Sequence, residues 1–231
     1  MRRLLVHVEG ETEEFFVHQI LAPYLYSFGY VNVSPRLIGN ARQRDRRGGI
    51  RGWNSIRVDI LKHLKQDRAC ISTIMVDYYA LPQSGDKAWP GRDQASKMAF
   101  PLKASTIETA LMQDIAKELG EGVHPIHFIP YIMMHEFEGL LFSDCTRFAE
   151  GIFQSQLASA FQSIRNEFST PEEINDSPIT APSKRVLSLF PAYTKPLNGV
   201  DAVKNIGLET IRKECPLFRT WLEKLQNYPA E

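Results

Sequence analysis

Leu4-Leu5-Val6-His7-Val8-Glu9-Gly10-Glu11-Thr12-Glu13-Glu14 is a short apolar run that ends in a glycine turn crowded with carboxylates. Leu4 to Val8 has strand length, and Gly10 permits a tight turn. Thr12 suits the cap of a helix in which Phe15, Phe16, Ile20 and Leu21 recur at helical spacing. The stretch is therefore one strand-turn-helix unit. In an open parallel sheet, ligands bind outside the carboxyl ends of the strands, where Glu9 falls. Glu11 and Glu14 are accounted for by the positive end of the helix dipole. Glu9 precedes the helix and follows the strand, so the dipole accounts for it less well.

The alternation continues outward. Tyr30 to Leu37 reads as a second strand, and Ile56, Ile60, Leu61 and Leu64 mark a following helix. Ala69 to Val76 is a buried strand that ends at Asp77, and Ile107, Ala110, Leu111 and Ile115 give a helix over Lys103 to Leu119. His124 to Met134 is a further strand candidate. Leu81 to Pro101, with three prolines and two glycines, reads as a long surface connection. Beyond residue 145 the pattern turns helical, with candidates at Gln154–Phe168, Ser183–Phe190, Val200–Ile206 and Pro216–Gln226. The expected fold is α/β: a largely parallel sheet flanked by helices over residues 1–145, and a mostly helical carboxyl-terminal extension over 146–231 packed on it as a single compact unit.

The chain has 231 residues, 43% of them apolar, enough to bury a full core. Cys70, Cys145 and Cys215 lie far apart, which argues against a zinc cluster or a disulfide framework and fits a reduced cytoplasmic compartment. The amino-terminal apolar run is too short for a signal peptide, and no segment reaches the roughly 18 apolar residues of a membrane span. A soluble, cytoplasmic protein is expected. No lysine-serine phosphate loop and no nucleophile elbow is present.

Net charge is zero, so attraction to nucleic acid must be local. Between Arg36 and Arg68 ten cationic residues face Asp45, Asp59 and Asp67, a local excess of seven. The densest part holds Arg42, Arg44, Arg46, Arg47 and Arg51 among glycines. A loop of that kind can follow a phosphate backbone; it can equally be a solvated loop, with Trp53 buried at the start of the next helix. Lys184 and Arg185, with Lys195, lie in proline-flanked segments and are further candidates for phosphate contact.

Glu9, Asp77 and the pair Glu136 and Glu138 each follow a predicted strand, so a parallel sheet directs them to one edge. Magnesium prefers six oxygen ligands and keeps several waters, so a few carboxylates plus substrate phosphate suffice. Glu136 and Glu138 share a side if their segment is extended. If a helix starts there, they are first-turn acids ahead of apolar Leu140, Leu141 and Phe142.

Val8-Glu9-Gly10-Glu11-Thr12-Glu13 resembles the first motif of Toprim domains, as found in topoisomerases, bacterial primases and overcoming-lysogenization-defect nucleases. Val76-Asp77-Tyr78-Tyr79-Ala80-Leu81-Pro82, His135-Glu136-Phe137-Glu138-Gly139-Leu140-Leu141-Phe142 and the stretch from Ile206 to Leu222 resemble the signatures of a Toprim-like bacterial family. The resemblance implies a Toprim-like sheet, with acid-base work or metal contact at Glu9 and metal contact at Asp77. It implies Mg2+ or Mn2+ as cofactor and phosphodiester hydrolysis of DNA or RNA, in bacterial phage defence beside a partner ATPase. The Toprim second motif commonly carries two aspartates separated by one residue, whereas here Tyr79 stands at the second place. That departure supports an alternative, a noncatalytic binding or regulatory module docking on an ATPase or nucleic acid. Nucleotidyl transfer of the primase kind is a third reading.

Overall fold

A computed structural model of the chain describes residues 2–38, 52–67, 69–119, 127–174 and 179–228. Four strands, β1 (Arg2–Val8), β2 (Tyr30–Leu37), β3 (Cys70–Asp77) and β4 (Tyr131–Met133), form one parallel sheet in the order β2-β1-β3-β4. The architecture is the expected α/β one, a parallel sheet flanked by helices with a helical carboxyl-terminal region. By its contacts the chain divides into two compact units, Met1–Ile132 with Glu223–Glu231, and Met133–Leu222. The division falls within β4, ahead of residue 145.

In the first unit β3 is buried along almost its whole length, as a parallel strand covered on both faces must be. The sequence meets this demand with Cys70, Ile71, Ile74, Met75 and Val76, and its polar members are bonded: the Ser72 hydroxyl lies 3.3 Å from His7 Nδ1 while its carbonyl accepts from the Ile129 N–H at 2.9 Å, and the Thr73 hydroxyl donates to the Ile129 carbonyl. β4 is shorter than the strand expected over His124–Met134. Pro130 carries no N–H for the ladder, so upstream pairing shrinks to an isolated Ser72–Phe128 bridge; residues 124–126 lie outside the described ones.

Helices α1 (Glu11–Phe16) and α2 (Ala22–Tyr26) are joined by a π-turn at Val17–Leu21, in which the Ala22 N–H bonds Val17. Pro23 follows at once. Widening the turn there relieves the clash a proline makes with the carbonyl four residues back. Helices α3 (Trp53–Gln66) and α5 (Leu102–Leu119) match the periodic apolar residues. The connection before α5 contains α4 (Arg92–Ser96). Gly91 makes this possible: its φ of +77° is left-handed, and a Cβ there would lie 2.8 Å from the Thr106 carbonyl, so only glycine lets α4 approach α5 this closely. Trp53 is buried, as expected for a helix-initial tryptophan, with its indole N–H on Asp114 at 2.6 Å and Trp89 against its ring.

The second unit is helical: α6 (Glu138–Leu141), α7 (Cys145–Gly151), α8 (Ala158–Arg165), α9 (Pro182–Leu189), α10 (Lys195–Ile206), α11 (Leu208–Glu214) and the start of α12 (Pro216–Gln226). Phe142, Phe148 and Phe161 pack at its centre, the last two stacked at 4.4 Å. Fully buried Glu172 accepts from the Leu217 and Phe218 N–H groups at 2.8 and 3.0 Å and so caps α12. Among the described residues no helix is long and apolar enough to cross a membrane.

Candidate functional site

The parallel register determines how Glu9 and Asp77 meet. Val8 pairs with Leu37 on one side and Met75 on the other, so Glu9, just past the end of β1, comes level with the last residues of β3. Glu9 Oε1 accepts the Asp77 N–H at 2.6 Å, and both residues are half-buried. Two carboxylates from adjacent parallel strands therefore stand at the carboxyl edge of the sheet. The turn after Glu9 is built otherwise than expected. Gly10, not Thr12, is the cap residue of α1; its φ of −146° is extended backbone open to any residue; and Thr12 is buried inside the helix. The cap is the Glu13 carboxylate, which accepts the Gly10 N–H at 3.1 Å. Glu13 thus serves the backbone, while Glu11 and Glu14 occupy the first turn.

Immediately after Asp77 the chain makes a 3-10 turn, Tyr78–Ala80. Tyr78 is buried beneath two cations: the Arg92 guanidinium carbon lies 4.0 Å and Lys103 Nζ 5.6 Å from its ring centroid. Arg92 also donates to the Tyr78 hydroxyl at 3.0 Å. Burial pushes the Tyr78 phenol up, with Arg92 opposing. Tyr79, at the place where the Toprim second motif commonly carries its second aspartate, is partly exposed.

Glu136 and Glu138 belong to the second unit and are engaged there. Phe137 has helical backbone angles and Glu138 opens α6, so the extended arrangement of the pair is replaced by a helix start. Glu136 Oε2 accepts the Ser183 N–H at 2.9 Å, in the first turn of α9. Glu138 is fully buried and pairs through Oε2 with Lys195 Nζ at 3.0 Å. Burial pushes its carboxyl above the ordinary range, Lys195 opposing and Glu136 adding to the rise. His135, just upstream, is buried and holds a left-handed φ of 71°.

The cationic candidates separate. Arg42, Arg44, Arg46, Arg47 and Arg51 lie outside the described residues. Arg185 donates to Glu167 at 3.1 Å and to the Thr180 carbonyl at 3.0 Å, with its guanidinium over Phe168, which anchors α9 within the second unit. Lys184 is exposed.

Among the described residues no group of three or more His, Cys, Asp or Glu side chains is arranged to hold a metal ion. The Glu9–Asp77 pair still suits a magnesium-type ion, which is commonly bound by one or two carboxylates with substrate phosphates and water completing the shell. Tyr78, Arg92 and Lys103 are site neighbours that sequence reasoning passed over; the Pro90-Gly91 dipeptide ahead of Arg92 was the available signal of a fixed turn.

Residues 8–226 match the model of a family described as a domain of unknown function (DUF4276). No curated protein and no solved structure matches the chain.

Proposed function

We propose that this chain, which belongs to the DUF4276 family, is a divalent-metal-dependent nuclease that hydrolyses phosphodiesters of DNA or RNA at the Glu9–Asp77 edge of its sheet. The observation that carries the reading is the meeting of these two carboxylate residues at the ends of adjacent parallel strands. Glu9 and Asp77 would hold Mg2+ or Mn2+, which when bound supplies a water of lowered pKa and neutralises phosphate charge. Glu9 also keeps Asp77 in place, through the 2.6 Å bond to its N–H. The likeness to Toprim domains of overcoming-lysogenization-defect nucleases supports a role in phage defence beside a partner ATPase.

The test is cleavage of supercoiled DNA, linear single-stranded DNA and structured RNA with Mg2+ or Mn2+, comparing wild type with Glu9→Gln. Glutamine keeps an acceptor for the Asp77 N–H, so the fold survives while the carboxylate charge is lost. Metal-dependent cleavage that disappears in the variant supports the assignment; equal cleavage by both proteins defeats it.

The second reading is a noncatalytic module that docks on an ATPase or on nucleic acid. It is favoured by the engagement of Glu136 with the Ser183 N–H and of Glu138 with Lys195. Metal affinity separates the two, since a nuclease binds Mn2+ in a manner that Glu9→Gln weakens and a docking module does not.

A further inference from the structure

We infer that Arg92 and Lys103 form a phosphate-binding subsite over Tyr78, beside the Glu9–Asp77 pair. Arg92 is only 9% exposed, and its Nε is buried without a hydrogen-bond partner. Its one side-chain hydrogen bond among the described residues is to the Tyr78 hydroxyl, and no carboxylate there lies within ion-pair distance of it. Lys103 likewise has no acidic partner among the described residues and leans over the same ring.

A guanidinium taken out of water needs a counter-charge or full hydrogen bonding, because its desolvation costs several kcal/mol. Tyr78 supplies a ring face and one hydroxyl, which attract the cation without neutralising it. Two partly buried arginines among the described residues are provided for: Arg165 reaches Glu214 and Arg185 reaches Glu167. Arg92 is instead built into the fold at some expense. Gly91 adopts a left-handed backbone so that α4 can press on α5, and this contact sets Arg92 and Lys103 over one ring. Two cations lacking acids, held next to the residue that follows Asp77, are what an incoming tetrahedral oxyanion would complete. The planar fork of Arg92 matches two phosphate oxygens, and Lys103 adds a mobile point charge.

The inference deepens the nuclease reading by naming the residues that take the substrate phosphate, yet it concerns binding alone and is measured without metal. Fluorescence anisotropy in EDTA follows a single-stranded oligodeoxynucleotide with a 5′-phosphate, the same strand with a 5′-hydroxyl, and displacement of each by inorganic phosphate. Arg92→Lys keeps the charge but loses the fork, and Lys103→Gln alters a half-exposed side chain that the fold tolerates; circular dichroism verifies that both are folded. Each variant is expected to weaken binding about tenfold, the loss of a charge-assisted hydrogen bond. Lys103→Gln also lowers the salt dependence by about one counterion. Loss confined to the 5′-phosphorylated strand assigns the subsite to a terminal phosphate; equal loss on both strands assigns it to an internal phosphodiester. Folded variants with wild-type affinity and wild-type phosphate displacement overturn the inference, as does a wild type indifferent to phosphate. Phosphate binding lost in the variants stands even if no cleavage is found, and cleavage abolished by Glu9→Gln stands even if Arg92 proves irrelevant.

Discussion

Lys195→Met asks whether Glu138 is the buried half of an ion pair or a carboxylate kept for a cation. Glu138 is wholly buried, with Oε2 on Lys195 Nζ at 3.0 Å and Oε1 buried without a hydrogen-bond partner. Removing one member of a fully buried pair costs about 3–5 kcal/mol, whereas exposed pairs are worth at most about 1 kcal/mol. The Lys195 side chain is 48% exposed, so water already carries part of its charge, and about 2 kcal/mol at pH 7 is the intermediate expectation. For a chain of this size that lowers Tm by roughly 4–8 °C. The pH dependence identifies the cause. Burial raises the folded Glu138 pKa above its ordinary value of 4.5, and Lys195 is the largest influence opposing the rise. A carboxyl with a raised folded pKa lends stability that is complete below the unfolded value and lost as pH climbs through the folded one. Lys195→Met widens that window upward, so variant and wild type converge near pH 4 and separate toward pH 7. Urea denaturation followed by circular dichroism at both pH values measures the difference. Glu138→Gln in the Lys195→Met background removes the stranded charge and recovers most of the loss. A cost under about 0.5 kcal/mol at pH 7, an equal cost at pH 4, or no recovery in the double variant refutes the reasoning.

Glu172→Ala leaves the Leu217 and Phe218 N–H groups without their acceptor and is expected to destabilise the chain by about 3 kcal/mol, read as a shifted urea midpoint at unchanged slope. Gly91→Ala forces a Cβ to within 2.8 Å of the Thr106 carbonyl at a positive φ, so it should cost roughly 2 kcal/mol and weaken phosphate displacement along with Arg92→Lys; wild-type Tm would contradict this. Burial holds the His7 imidazole down to about 4, against an ordinary 6.5, so it is expected to stay neutral across pH 5–8, which an NMR titration of its ring protons checks. Because that folded pKa is depressed, its contribution to stability is present above pH 6.5 and lost as pH falls toward 4, and His7→Gln should flatten this part of the stability profile.

Three strands are legible because β1 and β3 are dominated by apolar and β-branched residues and β2 spaces Tyr30, Val31, Val33 and Leu37 among polar ones: the reading of Tyr30–Leu37 agrees to the residue, and those of β1 and β3 to within one or two. β4 was overread because an apolar stretch says nothing about N–H groups, and Pro130 has none. Helices α3, α5 and α12 announced themselves by periodicity over three or more turns. Helices α4, α6, α7 and α11 are too short for a periodic signal and owe their existence to tertiary packing. The Glu9–Asp77 meeting follows from parallel pairing alone, so it could be anticipated across 68 residues. The partnership of Glu138 with Lys195 depends on how α10 packs on α6, and no local pattern records that. Arg92 was hidden for the same reason, since its burial comes from a glycine neighbour and not from its own chemistry.

The first unit is interrupted in sequence and resumes only at Glu223. Its later segment supplies contacts that its sheet region uses: the Leu225 carbonyl accepts from the Tyr30 hydroxyl at 2.8 Å, Gln226 bonds Tyr24, and Tyr228 reaches His127 at 2.8 Å. On the ribosome, at about 5–20 residues per second, residues 133–222 take roughly 5–18 s to be made once Ile132 has been added. Throughout that interval the Tyr30 hydroxyl lacks its Leu225 acceptor and Tyr24 its bond to Gln226, so a chain stalled or cleaved before Glu223 is a natural client for chaperones and proteases even with every acid of the strand edge already in place.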